Sequence, residues 1–393
     1  MGKTGTAIVA GAGIGGLTAA LALSKAGWQV DVYDQAHKIE PVGAGLQLGP
    51  NCSRILAEFG ILDRLKDTAV ETEELIVRSG RNGRVLSRMP HGQTARDRWN
   101  GTFYVVHRGD LQMALLEAVH ETPGITVTLG RRLEEVRHRD GGVHAVFSKY
   151  GDEMPVDGDL LIGADGLWSK ARSHVGLTGP TSFSGCVAWR TLVPVADVPE
   201  FARAPRANLW LGSGAHVVHY PIRGGREINI VAIVEDSWKE RGWSEAGDIA
   251  WINRRFRDWH ADLSGLIGSA ETWLRWSLFD RAPEWKWTRG PVALLGDAAH
   301  PMLPFLAQGA SQAIEDAKVL GECLTGTSDI TAALMTYQDR RLRRAARVQR
   351  LSRRQAGIYH ASEPIASARD LAMGILGGNG LASRFDWLYG EKI

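Results

Sequence analysis

Cysteine is scarce: Cys52, Cys186 and Cys323 are the only three in 393 residues, and they form no CxxC or other metal-ligand spacing. That argues against a disulfide scaffold or a cysteine-held metal, so buried thiols in a reducing cytoplasm are the expected state. An excess of one charge is lacking too. Lys and Arg number 46 against 44 Asp and Glu, a net charge of +2, which argues against nucleic acid as a partner. Outside residues 7–23, nothing nears the ~18 uninterrupted apolar residues of a membrane span. Residues 7–23 imitate a leader peptide, but Gly11, Gly13, Gly15 and Gly16 interrupt them. An acidic strand end follows, so they read as the start of a nucleotide-binding unit. Internal repeats and low-complexity linkers are missing as well. The length suits two domains, the second inserted into the first.

What is present begins with a βαβ opening. Residues 6–10 read as a strand, 11–16 as a tight turn, 17–26 as a helix and 30–33 as a second strand closing with Asp34. Gly11, Gly13 and Gly16 fit G-x-G-x-x-G. The first permits the turn, the second lets backbone approach a pyrophosphate, and the third lets helix and strand pack closely. Asp34 stands about 20 residues on, where an acid takes ribose hydroxyls, as suits the adenosine ribose of FAD or NAD. At the far end, residues 292–317 read as a buried strand that breaks at Gly296-Asp297. A loop with Pro301 and Pro304 follows, then a helix from Gly309 to Leu324. The first N–H groups of that helix, at Gly309 and Ala310, can stabilise negative charge. Between the two ends lie a helix over 107–119 and strands over 125–129, 143–147 and 159–162. Three strands over 207–211, 216–222 and 228–234, separated by glycine turns, form an antiparallel meander.

With these motifs in view, the chain resembles the FAD-dependent aromatic hydroxylases, the single-component flavoprotein monooxygenases that include salicylate and hydroxybenzoate hydroxylases. Three signatures occur in the family's order. They are the glycine motif, Asp165-Gly166-x-x-Ser169-x-x-Arg172, and Gly296-Asp297-Ala298-Ala299-His300-Pro301. The resemblance implies bound FAD, NADH or NADPH docking transiently, dioxygen, and a small phenolic or N-heteroaromatic substrate hydroxylated through a flavin C4a-hydroperoxide. Asp165 belongs to the segment associated with FAD and nicotinamide cofactor. Arg108 and Gln112 resemble the segment that contacts the flavin pyrophosphate, and Asp297 would accept a hydrogen bond from a ribityl hydroxyl. Pro301 and Pro304 would stiffen the loop beside the isoalloxazine. The family commonly has glycine before the Gln308-Gly309 pair; this chain has Ala307, as in the salicylate-hydroxylase-like branch. Only one G-x-G-x-x-G is present, so no second dinucleotide domain is expected.

The substrate side is less determined. His216, Val218 and Tyr220 alternate along one strand and share a face, whereas His219 points the other way. A His or Tyr beside a flavin can deprotonate or orient a phenol, and the resemblance implies such a pair; a structural histidine is the competing reading. Gln47 and Pro304 are pocket candidates. A substrate carboxylate could meet Arg190, Arg206, Arg223 or Arg226, and His300 is either structural or near the flavin. Residues 238–287 hold eight tryptophans, Trp243 among them, which chiefly pack a second layer. Residues 337–355 carry eight arginines and read as an amphipathic helix with a solvated basic face or a subunit contact.

The expected fold is α/β. A Rossmann-type FAD-binding domain comes from residues 1–72, 101–178 and 290–393, with C-terminal helices. An inserted substrate domain with an antiparallel β-sheet comes from 73–100 and 179–289. The expected protein is a cytoplasmic monomer or homodimer without metal. An FAD-dependent reductase or dehydrogenase lacking oxygen insertion is the alternative.

Overall fold

The computed structural model describes residues 4–39, 44–240 and 245–391; Trp243 lies outside them. One sheet runs in the order Thr288–Arg289, Val292–Leu294, Leu160–Gly163, Thr4–Ala10, Trp28–Asp34, Ile125–Leu129. All pairs are parallel except the outermost, Thr288–Arg289 with Val292–Leu294. Ala7, Ile8, Val9, Leu160, Leu161 and Ile162 have no solvent exposure. Strands covered on both faces read as continuous apolar runs, which is why these segments stand out in the sequence. Helices Ile14–Lys25, Arg108–Glu121 and Gly309–Leu324 pack together beside the sheet.

A second sheet of eight strands runs Glu245–Ala246, Leu274–Asp280, Ser182–Pro194, Glu227–Glu235, Ala215–Ile222, Ala207–Gly212, Glu74–Ser79, Val85–Pro90. Its middle is the expected meander, with Leu211 opposite His216 and Ile233 on its other side. Alternation sorts its side chains onto two faces. Val187, Trp189, Val217 and Ile230 pack under helices Ile249–Phe256 and Ala261–Gly268. Cys186, Ala188, Ile233 and Leu278 pack instead against Leu303 and Phe305 of the proline loop. The second face therefore meets the nucleotide-binding half. Strands Gly45–Leu48, Tyr104–His107 and Val70–Glu71 form a small sheet at this junction, and Gly45 N–H donates to Asn229 Oδ1 at 2.8 Å.

The basic helix runs Ile330–Tyr359, longer than the periodicity predicts, and the reading of its arginines needs correction. Arg341 is fully buried and Arg344 nearly so. Both turn inward because the neighbouring helix offers them Glu315 and Asp316. A further helix, Ile365–Ser383, follows; its glycines hid it from propensity.

Candidate active site

The glycine turn is built by close approach. Gly11 adopts a φ of +113°, and a Cβ there would stand 2.3 Å from the Ala164 carbonyl oxygen. A Cβ on Gly16 would stand 1.8 Å from the Gly11 carbonyl oxygen. Gly13 is different: a Cβ there would meet nothing within 4 Å, and no side chain caps the helix start it begins. Backbone N–H groups facing open space at a helix start suit a pyrophosphate. Asp34 is committed in part to this turn, since its carboxylate accepts from Ala12 N–H at 2.6 Å and Ala36 N–H at 2.8 Å. Each oxygen keeps a second acceptor position. Gln112 donates to the Ala12 carbonyl at 2.8 Å, and Arg108 donates to Gln112 at 3.4 Å. Burial lowers the Arg108 pKa while nearby Asp297 and Asp34 oppose it. These residues thus surround one location.

Asp165 accepts from Lys170 and Ala171 N–H groups at 2.7 and 3.2 Å. Its other oxygen is buried without a partner among the described residues, and burial raises its pKa. Arg172, from the same motif, donates to the Ala298 carbonyl at 2.8 Å and pairs with Glu284 at 2.9 Å. It fastens the second signature to the third. In that third signature Gly296 turns the chain with a φ of +62°. Asp297 then stands exposed, yet ringed closely enough that desolvation raises its pKa, with His300 and Arg108 opposing. His300 is buried, with Nε2 2.5 Å from the Asp316 carboxylate.

Behind this turn lies a charged network. Arg341 bonds Glu315 and Asp316 at 2.5 and 2.7 Å, and Arg344 bonds Glu315 at 2.7 Å. Asn51 donates to Glu315 at 2.6 Å and to Gln308 at 3.0 Å. The network fixes the start of helix Gly309–Leu324, which has no side-chain cap. A Cβ on Gly309 would meet nothing within 4 Å. Gln349 and Ser352 donate to the Pro301 and Leu303 carbonyls at 2.8 and 2.5 Å. Pro304 remains exposed between buried Leu303 and Phe305. Two open helix starts, an unpartnered Asp165 oxygen and exposed Asp297 fit an extended dinucleotide such as FAD.

The sheet face carries the residues expected on the substrate side. His216 and Tyr220 are buried on the same side of strand Ala215–Ile222. His216 lies 5.3 Å from the Phe305 ring, and Tyr220 lies against Gly45. Burial, then proximity to His360, lowers the His216 pKa well below 6.5, so the ring is neutral and one of its nitrogens keeps a lone pair. Burial raises the Tyr220 phenol, making it a donor rather than a base. His219 packs on the opposite face against Phe201 and Trp210. Gln47 is half-buried and pairs with Val105. Of the four arginines, Arg206 bonds Glu74 and Arg223 bonds Glu227. Arg190 shares the face of Ala188, its guanidinium 4.4 Å from the Trp276 ring, close enough to feel the charge of Arg108.

Sequence reasoning missed Asn229 and His360. His360 Nε2 lies 2.8 Å from His216 Nδ1, across 144 residues of chain. No local pattern marks such a partner.

The comparisons with known proteins point to the same cofactor. A family model described as an FAD binding domain matches residues 3–352. The 3-hydroxybenzoate 6-hydroxylase 1 of Aquipseudomonas alcaligenes is 35% identical over 386 residues, 98% of this chain and 97% of that one. The 3-amino-4-hydroxybenzoate 2-monooxygenase of Streptomyces cremeus is 36% identical over 385 residues, 98% and 94% of the two chains. Among solved structures, Klebsiella pneumoniae HpxO complexed with FAD and uric acid matches with a TM-score of 0.86 at 29% identity, covering 96% of this chain and 95% of that one.

Proposed function

Because this chain belongs to the FAD-dependent aromatic hydroxylases, we propose that it hydroxylates the ring of a small phenolic acid of the hydroxybenzoate kind. NADH or NADPH is the reductant and dioxygen the oxidant. The observation that carries this reading is a neutral imidazole, His216, sharing a buried face with the Tyr220 phenol beside Phe305. Two relatives named for hydroxybenzoates, at 35% and 36% identity, support the substrate class. We assign the nucleotide-binding domain to residues 1–72, 101–178 and 290–393 and the substrate domain to 73–100 and 179–289. The separation of the six-stranded sheet from the eight-stranded one supports that division, with Thr288–Arg289, at the division's edge, pairing in the six-stranded sheet.

Bound FAD supplies the electron and oxygen transfer. Gly11, Gly13, Gly16, Asp34, Arg108 and Gln112 would hold its adenosine and pyrophosphate, with Asp165 beside them. Asp297 would hold its ribityl chain, and Gly309 and Ala310 its pyrimidine edge. His216 Nε2 takes the phenolic proton, which makes the ring more nucleophilic. Tyr220 donates a hydrogen bond to the substrate. Arg190, softened by its stacking on Trp276, meets the carboxylate. Leu303, Phe305 and Ile233 keep water out, which a reactive oxygen donor requires.

The test is NADH and NADPH oxidation by the purified holoenzyme over a panel of phenolic and N-heteroaromatic acids, with products identified. Hydroxylated product in proportion to reductant is expected. Substrate-stimulated oxidation that yields no hydroxylated product from any member would overturn the reading.

A further inference from the structure

We propose that His360 and Glu235 continue from His216 as a relay that carries the substrate's phenolic proton from the buried sheet face to solvent. The inference rests on His216 being the base. His216 Nδ1 lies 2.8 Å from His360 Nε2, and His360 Nδ1 lies 3.2 Å from Glu235 Oε1. The His360 side chain is 2% exposed and that of Glu235 60% exposed, so the line runs from interior to surface. The exit lies beside an open cleft of about 920 Å³ lined in part by Ser213, Arg255, Ala361 and Ser362.

The proton positions follow from the partners. A carboxylate only accepts, so His360 carries hydrogen on Nδ1 and accepts at Nε2. His216 then carries hydrogen on Nδ1, and its Nε2 lone pair is left to take a proton. The phenolic O–H bond breaks and its proton joins Nε2 of His216. The Nδ1 proton passes to His360 Nε2, and the His360 Nδ1 proton passes to Glu235 and water. The electron pair stays on the substrate oxygen, and nothing is oxidised. Reverse transfer to the product restores both rings.

Packing alone does not account for the pair. His219, on the same strand, is fully buried with neither ring nitrogen bonded among the described residues, so this sheet accommodates a histidine without a polar partner. The groups facing the pair are few. Phe305 and Tyr359 lie against His216, and Glu235 and Arg255 act on His360. Arg255 is engaged with the Ser213 carbonyl at 2.9 Å.

The test mixes holoenzyme with 3-hydroxybenzoate in a stopped-flow instrument. Phenolate absorbance and an indicator dye follow the proton, and turnover is recorded against pH. His360→Gln should slow proton release at least about tenfold, with FAD content and KM unchanged. Glu235→Gln should slow it a few-fold, and added imidazole should restore His360→Ala. Release at the wild-type rate in His360→Gln, with an unchanged pH profile, would overturn the relay. Should the His360 variants not fold, an unaltered rate in surface-exposed Glu235→Gln decides against it equally. A slowed His216→Ala beside an unaffected His360→Gln sinks the relay alone. Wild-type turnover in His216→Ala sinks the base assignment and the relay with it.

Discussion

Behind the helix start at Gly309 the buried groups are charged and closely paired, whereas on the sheet face of His216 they are neutral. Arg341, Arg344, Glu315 and Asp316 form a cluster in which each charge has at least one partner within 2.7 Å. Such a cluster holds its protonation state, because moving any proton would strand a buried charge. His216, His360 and Tyr220 are kept uncharged by burial. Hydrogen passed along hydrogen-bonded rings that gain one proton as they lose another creates no buried imidazolium, the form that burial disfavours. One network therefore suits fixing a cofactor and the other suits chemistry, and the two should respond to mutation in different currencies.

The largest expected effect is on rate. His216→Ala should lower coupled hydroxylation by about 10²–10⁴-fold, the usual worth of a general base, with FAD content little changed; leaving buried His360 Nε2 without its partner should cost about 1–3 kcal/mol of stability besides. His219→Leu, on the opposite face, should leave the pH profile alone. Because the pKa of His216 is depressed, its lone pair is lost only as pH falls through that lowered value. The acid limb of kcat should therefore lie below the 6.5 of an ordinary imidazole. An acid limb at or above that value would place the working base elsewhere.

Breaking the charged network should cost chiefly stability. Arg341→Met leaves Asp316 to His300 and Glu315 to Arg344, each short of one buried partner, and should cost about 3–5 kcal/mol by denaturant titration. Burial pushes the Asp316 pKa up, but His300 and Arg341 hold it at about 2, from 3.8. Its contribution is present above the unfolded value and is lost as pH falls from about 4 toward 2, about 2 kcal/mol in all. A pH dependence in that window that survives Arg341→Met undiminished would assign the acid sensitivity to other groups.

A third expectation concerns the face rather than the cluster. Arg190→Met should raise KM for carboxylated phenols about 10–100-fold, the loss of one charge-assisted hydrogen bond, while phenols without a carboxylate are unaffected. Equal effects on both classes would reduce Arg190 to packing on Trp276.

The same contrast decides what could be read from the chain. Gly11, Gly16 and Gly296 were legible because their constraint is local: a positive φ or a missing Cβ is written in one residue. Helix Gly309–Leu324 was legible to the residue, since a break and an apolar period mark it. The pairing of His216 with His360 was not, because it depends on where helix Ile330–Tyr359 ends against a distant sheet. The inward turn of Arg341 was hidden for the same reason. Its helix face is basic in sequence, and only the neighbouring Glu315 and Asp316 make it a core position.

Ala307 lies where the two networks join, between Phe305 on the sheet side and Gln308 in the charged cluster. It holds a φ of +50°, which costs an L-residue about 1–2 kcal/mol. Ala307→Gly removes that strain but loosens the unfolded chain by about 0.5–1 kcal/mol. The net expectation is a small stabilisation, about 1–2 °C in Tm. The folded loop would also sample more conformations beside Pro304, so product formed per NAD(P)H consumed should fall slightly even as Tm rises. That combination would show the methyl group holding the proline loop in register with both networks. A fall in Tm would mean that the Ala307 side chain makes packing contacts worth more than its backbone strain.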